Sequence, residues 1–242
     1  MRKKFFIAIA IMVLCIFALG IIHSLTSKKV IKEELAVAIV TQKGENPRIK
    51  TFNKSFGKLL GKELNRKISL KYVSPVAAHK NKKSYDIIIG LDKKSSTYSS
   101  SYLYVPNELV TLKSEGISNL SHTPQKFLIM SNIDYPKSLT LSDIKLNIVR
   151  MPSASAILNS VMMHNGRGAI VSILDFNELS SKNIDYLENL KTNQTTPPLS
   201  SQTYYIYIND NFKIEKAFKS LQNSQKLAKL SFRVLGQDYT KQ

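Results

Sequence analysis

Two short and largely apolar stretches, Leu35–Val40 and Tyr85–Leu91, constrain this chain more than anything else in it. Neither alternates apolar with polar residues, so each reads as a strand buried on both faces, which needs a layer of structure above it and another below. Between them Phe52, Phe56, Leu59, Leu60 and Leu64 fall on one face of a helix, with Lys54, Lys58, Lys62 and Glu63 turned to water. Ile68, Leu70 and Tyr72 alternate with Ser69, Lys71 and Val73 and predict a second strand; Pro75–Lys83 has room for a short helix. Strand, helix, strand, helix, strand at this spacing predicts an α/β layer with right-handed crossovers.

The pattern is then repeated. Tyr102–Val105 reads as extended, and Phe127–Met130 as a strand that stops at Ser131-Asn132. Tyr135–Leu141 is expected to start a helix and Asn147–Met151 to be extended. Ser153–Asn165 predicts a helix with Ile157, Val161 and Met162 on one face and Gly166 as its C-cap. Ala169–Leu174 predicts a strand ending at Asp175. Residues 191–202, with Thr195-Thr196-Pro197-Pro198, read as a connection without regular structure, Thr203–Ile208 as a strand, and Phe212 to about Leu235 as one final amphipathic helix.

Ahead of all this, Met1-Arg2-Lys3-Lys4 precedes Phe5–Ile22, a stretch with no charged side chain. Basic then apolar is the order of a secretory signal, with the basic end held on the cytoplasmic side. Ala18-Leu19-Gly20 offers small residues for a cut after Gly20, while the length also meets the lower bound for a retained membrane anchor. The working part is therefore expected outside the cytoplasm, in the periplasm or tethered to the inner membrane. Cys15, the only cysteine, lies inside this segment. The exported part is left without disulfides, thiolate metal sites or a thiol nucleophile.

Without Arg2, Lys3 and Lys4 the chain holds 32 basic against 17 acidic side chains, a net +15. Such a balance suits nucleic acid, an anionic membrane surface or an anionic solute. The lysines are spread along the chain, only six arginines occur, and no aromatic-plus-arginine stacking strip is present, which argues against nucleic acid. Catalysis finds little support either: His79, His122 and His164 are scattered, and neither a zinc-binding histidine spacing nor a Gly-x-Ser-x-Gly elbow occurs.

The order of elements and several local motifs resemble the type II periplasmic solute-binding proteins, specifically the amino-acid-binding group of bacterial extracellular solute-binding family 3. Tyr85-Asp86-Ile87-Ile88-Ile89-Gly90-Leu91 is similar to the family's aromatic-Asp-apolar-apolar-Gly strand, and Tyr98-Ser99-Ser100-Ser101-Tyr102 to its Phe-Ser-x-Pro-Tyr stretch, with Ser101 where proline is usual. Gly116–Leu120 stands where the family enters its second lobe, and Phe127–Asn132 resembles the strand leading to its Gly-Ser/Thr turn. His164-Asn165-Gly166-Arg167-Gly168-Ala169 resembles the Gly-Arg-x-Asp-Ala approach to that lobe's last strand, with Ala169 in place of Asp, and Thr203–Ile208 resembles the return to lobe one. The likeness covers about residues 35–240. The family's carboxylate-binding arginine has no counterpart, since no arginine lies between Arg66 and Arg150.

The resemblance implies an α/β, two-lobed fold of small, mostly parallel sheets flanked by helices. Residues 1–23 would form the signal peptide or anchor, 24–34 a linker, 30–107 plus 195–242 lobe one, and 108–194 lobe two. It further implies hinge closure near 104–110 and 192–202 over a small polar or anionic solute, no cofactor, a monomer, and an ABC permease as partner. A membrane-tethered sensor or accessory subunit is the alternative. In such a cleft Lys93 or Lys94 would supply a positive charge, Tyr98 and Ser99 a stacking ring and a hydroxyl, Ser131 and Asn132 an anion-binding helix start, and Asp175 a partner for an amine. Each also has a plainer reading: solvated lysines, a loop, a turn-and-cap pair, and a strand-end cap.

Overall fold

The computed structural model of the protein describes residues 34–94, 99–115, 125–130, 135, 138–141, 144–195 and 197–241. The apolar segment at Phe5–Ile22, with its signal or anchor reading, lies outside the described residues. Among the described residues no helix is long and apolar enough to cross a membrane.

The chain enters at β1 (Leu35–Val40), passes through α1 (Pro47–Glu63), β2 (Ile68–Val73), α2 (Pro75–Lys80) and β3 (Ile87–Leu91), and continues into β4 (Ser99–Val105). It then supplies a second set: β5 (Asn107–Leu112), β6 (Gln125–Met130), β7 (Ser138–Leu141), β8 (Ile144–Met151), α3 (Ala154–Met162), β9 (Gly168–Ser172), α4 (Ile173–Lys182), α5 (Ile184–Asn189) and β10 (Leu190–Asn193). Finally β11 (Gln202–Ile208) returns to the first set, and α6 (Phe212–Asn223) and α7 (Lys226–Leu235) pack on it. One sheet has the order β2-β1-β3-β11-β4 and the other β10-β5-β9-β6-β8-β7. The parallel pairing expected from the sequence forms three neighbouring strands of each sheet, β2-β1-β3 along one side of the first and β8-β6-β9 within the second, and the remaining strands pair antiparallel.

The apolar runs find the two-sided burial they demand. Val37 and Ile39 of β1 face a core shared with Phe52, Phe56 and Leu60 of α1 and with α6 and α7. Ala38 and Val40 face the other way, against Val73, Ala78 and Tyr85. Phe52, Phe56 and Tyr102 form an aromatic centre, with ring centroids 5.0 Å apart for Phe56–Tyr102 and 6.2 Å for the stacked pair Phe52–Tyr102. Each such ring contributes roughly 1.5–3 kcal/mol by leaving water.

Several sequence expectations are corrected. In the stretch expected to start a helix, Tyr135–Leu141, the residues Ser138–Leu141 are instead β7, antiparallel to β8. The connection expected from residue 191 begins inside a strand, because Leu190–Asn193 adds to the edge of β5. The single C-terminal helix is two, broken where Gln225 takes a left-handed φ of 57°. The strand through Leu174 stops at Ser172, whose hydroxyl accepts the Asp175 N–H and so starts a helix there. Nor is Gly166 the cap of α3. His164 takes the left-handed position (φ 57°) and the Asn165 N–H closes on the Ser160 carbonyl. Gly166 is small for another reason: a Cβ there would stand 3.0 Å from the Lys126 carbonyl oxygen of β6.

Candidate functional site

The chain passes between the two sheets twice, and the two passages are tied together. Pro106 alone separates β4 from β5, and its carbonyl accepts the Ile173 N–H at 3.0 Å where α4 begins. Asn107, buried beside it, donates through Nδ2 to the Ser200 carbonyl of the second passage and to the Tyr135 hydroxyl, which itself donates to Ser200. Ile173 and Leu174 then reach across, packing against the core of the first sheet.

This crossing brings residues of both halves to one place. Asn46, the N-cap of α1, accepts the Arg48 N–H through its side-chain oxygen, and its amide nitrogen donates to Asp175 Oδ1 at 3.0 Å. Asp175 Oδ2 takes a 2.6 Å hydrogen bond from the Ser172 hydroxyl. Burial raises the Asp175 carboxyl above its ordinary value, against the lowering effect of those two donors. Beside Asn46, burial pushes the Glu45 carboxyl from its ordinary 4.5 up to about 7, with Asp175 adding to the rise. Glu45 Oε2 is buried and finds no hydrogen-bond partner.

The floor is built by the first sheet. Gly90, the residue before the last of β3, takes φ +94°, and a Cβ there would lie 2.9 Å from Asn53 Nδ2 and 3.1 Å from the Val40 carbonyl oxygen. Asn53, fully buried on α1, accepts the Tyr102 hydroxyl at 2.6 Å. Burial drives the Tyr102 and Tyr204 phenols well above their ordinary value, and the charge of Glu45 adds to both; Asp175 and Asp92 act further on Tyr204. Glu45, Asp92 and Asp175 thus all act on Tyr204, and Glu45 on Tyr102 as well. They do not converge on a metal site, since among the described residues no group of three or more His, Cys, Asp or Glu could hold one.

Of the residues expected from the sequence, Asp175 is at this place, three residues into α4 rather than at a strand end. Ser99 is buried in β4, paired with Tyr207 of β11. Lys93 and Lys94 are exposed on the turn after β3. Tyr98, Ser131 and Asn132 lie outside the described residues. Reading the sequence missed Glu45, Asn46, Asn53 and Tyr204. The Asn46-Pro47 pair, a helix-start signature, was the one local signal available.

With this geometry in hand, the molecule can be set against solved structures. It superposes on a probable amino-acid ABC transporter extracellular-binding protein of Bacillus subtilis with a TM-score of 0.62 at 15% identity, covering 86% of this chain and 99% of that one. The fold is that of the type II periplasmic binding proteins. The L-cystine solute receptor of Neisseria gonorrhoeae, in its unliganded open conformation, gives a TM-score of 0.58 at 13% identity over 87% and 96% of the two chains. A histidine kinase sensor domain with similarity to periplasmic binding proteins gives 0.57 at 10% identity over 86% and 98%. No protein-family model matches the sequence, and no curated protein matches it. Two sheets, one per lobe, joined by two crossovers make up the two-lobed type II fold, and the Asn46–Asp175 contact stands where its lobes meet.

Proposed function

We propose that the chain is an exported solute-binding protein that captures a small polar solute between its lobes and hands it to an ABC-type importer. The observation that carries this reading is the partnerless, buried Glu45 carboxylate oxygen beside Asp175 at the lobe contact. A buried acid without a donor is costly, and a solute amine would supply both the missing hydrogen bond and a charge that holds Glu45 ionised. The acids that act on Tyr102 and Tyr204 favour an amine-bearing solute over an anion. The positive charge expected from Lys93 and Lys94 sits on an exposed turn. Solute contacts to Glu45 from one lobe and Asp175 from the other would stabilise the closed form, with the passages at Pro106 and at residues 194–201 as the hinge. Binding of this kind needs no catalytic step.

A thermal-shift screen with amino acids, polyamines and small anions tests the proposal. A solute at about a hundred times its Kd stabilises by ~2.7 kcal/mol, which is roughly 5–10 °C for a domain of this size. Glu45→Gln and Asp175→Asn should each abolish the shift. A shift given only by anions, or unchanged in both variants, would refute the amine-binding site. The likeness to a histidine kinase sensor domain favours a second reading, a membrane-tethered sensor or accessory subunit with a protein partner. No shift with any compound, together with an intact N-terminus in the membrane fraction, would select it.

A further inference from the structure

On the first sheet, away from the acids at the lobe contact, α1 and α7 lie side by side over a groove of about 440 Å³. Leu59 and Leu230 line it with Ser55, and five cations stand around them: Lys58, Lys62, Lys226, Lys229 and Arg233. The only acid paired with this set among the described residues is Glu63, which holds Lys226 at 2.8 Å. Lys54, Lys58 and Lys62 repeat every fourth residue along the water-facing side of α1, and Lys226, Lys229 and Arg233 follow one another at spacings of three and four on α7. Phe232, on the exposed side of α7 next to Arg233 in the chain, stands outside the groove lining with 64% of its surface exposed. A cationic face carrying an unburied aromatic ring is the make-up of a helix that lies on an anionic bilayer surface.

The position of the groove names the occupant. The Leu35 N–H bonds to the Lys67 carbonyl at 2.9 Å, and Leu35 pairs with Ile68. Lys67 follows the C-terminal turn of α1, and it is Glu63 in that turn that grips Lys226 of α7. The groove thus opens at the end of the sheet where the chain arrives from its N-terminal segment. By sequence that segment holds the apolar stretch Phe5–Ile22 and only a short polar linker, 24–34. Eleven residues reach at most ~40 Å when fully extended, so a retained apolar segment would keep this face close to headgroups. We propose that the α1–α7 groove is a docking surface for anionic phospholipid, laying the first lobe on the membrane beside its tether and leaving the lobe contact free. This is independent of the solute-binding reading.

The test uses the full chain with Cys15→Ser, reconstituted in vesicles, and an environment-sensitive fluorophore on Phe232→Cys. A second preparation carries the dye on Lys182→Cys in α4. In vesicles of phosphatidylcholine with phosphatidylglycerol the dye at position 232 should shift to the blue, and the dye at 182 should not. Pure phosphatidylcholine should give no shift at either site, and 1 M salt, where the Debye length is ~3 Å, should remove it. Each cation near such a surface is worth about fivefold in affinity, so Lys58→Gln, Lys62→Gln, Lys229→Gln and Arg233→Gln together should abolish the shift. The charge-matched set Lys71→Gln, Lys80→Gln, Lys83→Gln and Lys216→Gln should keep it, which separates the groove from net charge. An equal shift in neutral vesicles, equal loss in both sets, or the same shift produced by polyglutamate without vesicles would overturn the proposal, the last by making an acidic polypeptide the ligand.

Discussion

Tyr102→Phe removes one oxygen atom and tests how the floor of the lobe contact is held. Tyr102 and Asn53 are both 0% exposed, and the Tyr102 hydroxyl donates to Asn53 Oδ1 at 2.6 Å. The amide nitrogen of Asn53 has no hydrogen-bond partner, so the Tyr102 hydroxyl is the group that holds this side chain. Removing the hydroxyl leaves a buried carbonyl oxygen without a donor, which costs ~1–3 kcal/mol. That is a fall of roughly 2–4 °C in Tm per kcal/mol for a domain of this length. Urea unfolding should show the midpoint falling with the slope unchanged. Tyr104→Phe, which removes a hydroxyl bonded to Ser101 at a half-buried site, is the control and should cost about 1 kcal/mol or less. Adding Asn53→Leu to Tyr102→Phe replaces both polar partners by apolar groups of similar size and should recover part of the loss. The reasoning fails if Tyr102→Phe lies within 0.5 kcal/mol of the parent, roughly the error of such fits, or if Tyr104→Phe costs as much.

Three further outcomes are expected. Gly90→Ala places a Cβ against the Val40 carbonyl and Asn53 at φ +94°, and should destabilise by about 2–4 kcal/mol from left-handed strain and overpacking together, read as a lower urea midpoint. Glu45 has its folded pKa raised from 4.5 to about 7, so the native state holds the proton longer and stability falls as pH rises between those values, by up to ~3 kcal/mol. Asp175, also raised, adds a fall of the same sign beginning near its ordinary carboxylate range. Glu45→Gln should flatten the profile, which unfolding curves at stepped pH will show. Ser231, fully buried on α7, donates to the Gln237 carbonyl and accepts the Tyr239 N–H at 3.0 Å. Ser231→Ala should cost ~1–2 kcal/mol and speed amide exchange at Tyr239 and at Tyr104, whose N–H bonds to the Tyr239 carbonyl.

How much of this was legible in the sequence follows from the range of the forces involved. The apolar runs of β1 and β3 and the stripe Phe52-Phe56-Leu60 declared their burial because periodicity is a local property. The second half was harder to read. β7 and β10 are four-residue edge strands whose existence depends on a neighbour supplied from elsewhere in the chain. Leu174 carries no local sign that it belongs to the core of the other sheet. The candidate site shows the same division. Asp175 could be picked out as a lone acid after an apolar run, yet what it does depends on Asn46, 129 positions away in the chain. Glu45 carries no local sign of the burial that folding gives its carboxylate.

The sequence by itself determined an α/β fold of two repeated units, and its local motifs carried a resemblance to a family whose fold the solved structures share. Hydrophobic period and the order of elements are written along the chain and survive without coordinates. Only the tertiary structure decided which charges work together. It set Glu45 beside Asp175 at the meeting of the lobes, and gathered the cations of α1 and α7, more than 160 positions apart at Glu63 and Lys226, on one groove. Desolvation and charge clustering act through space, and no reading along the chain can measure either.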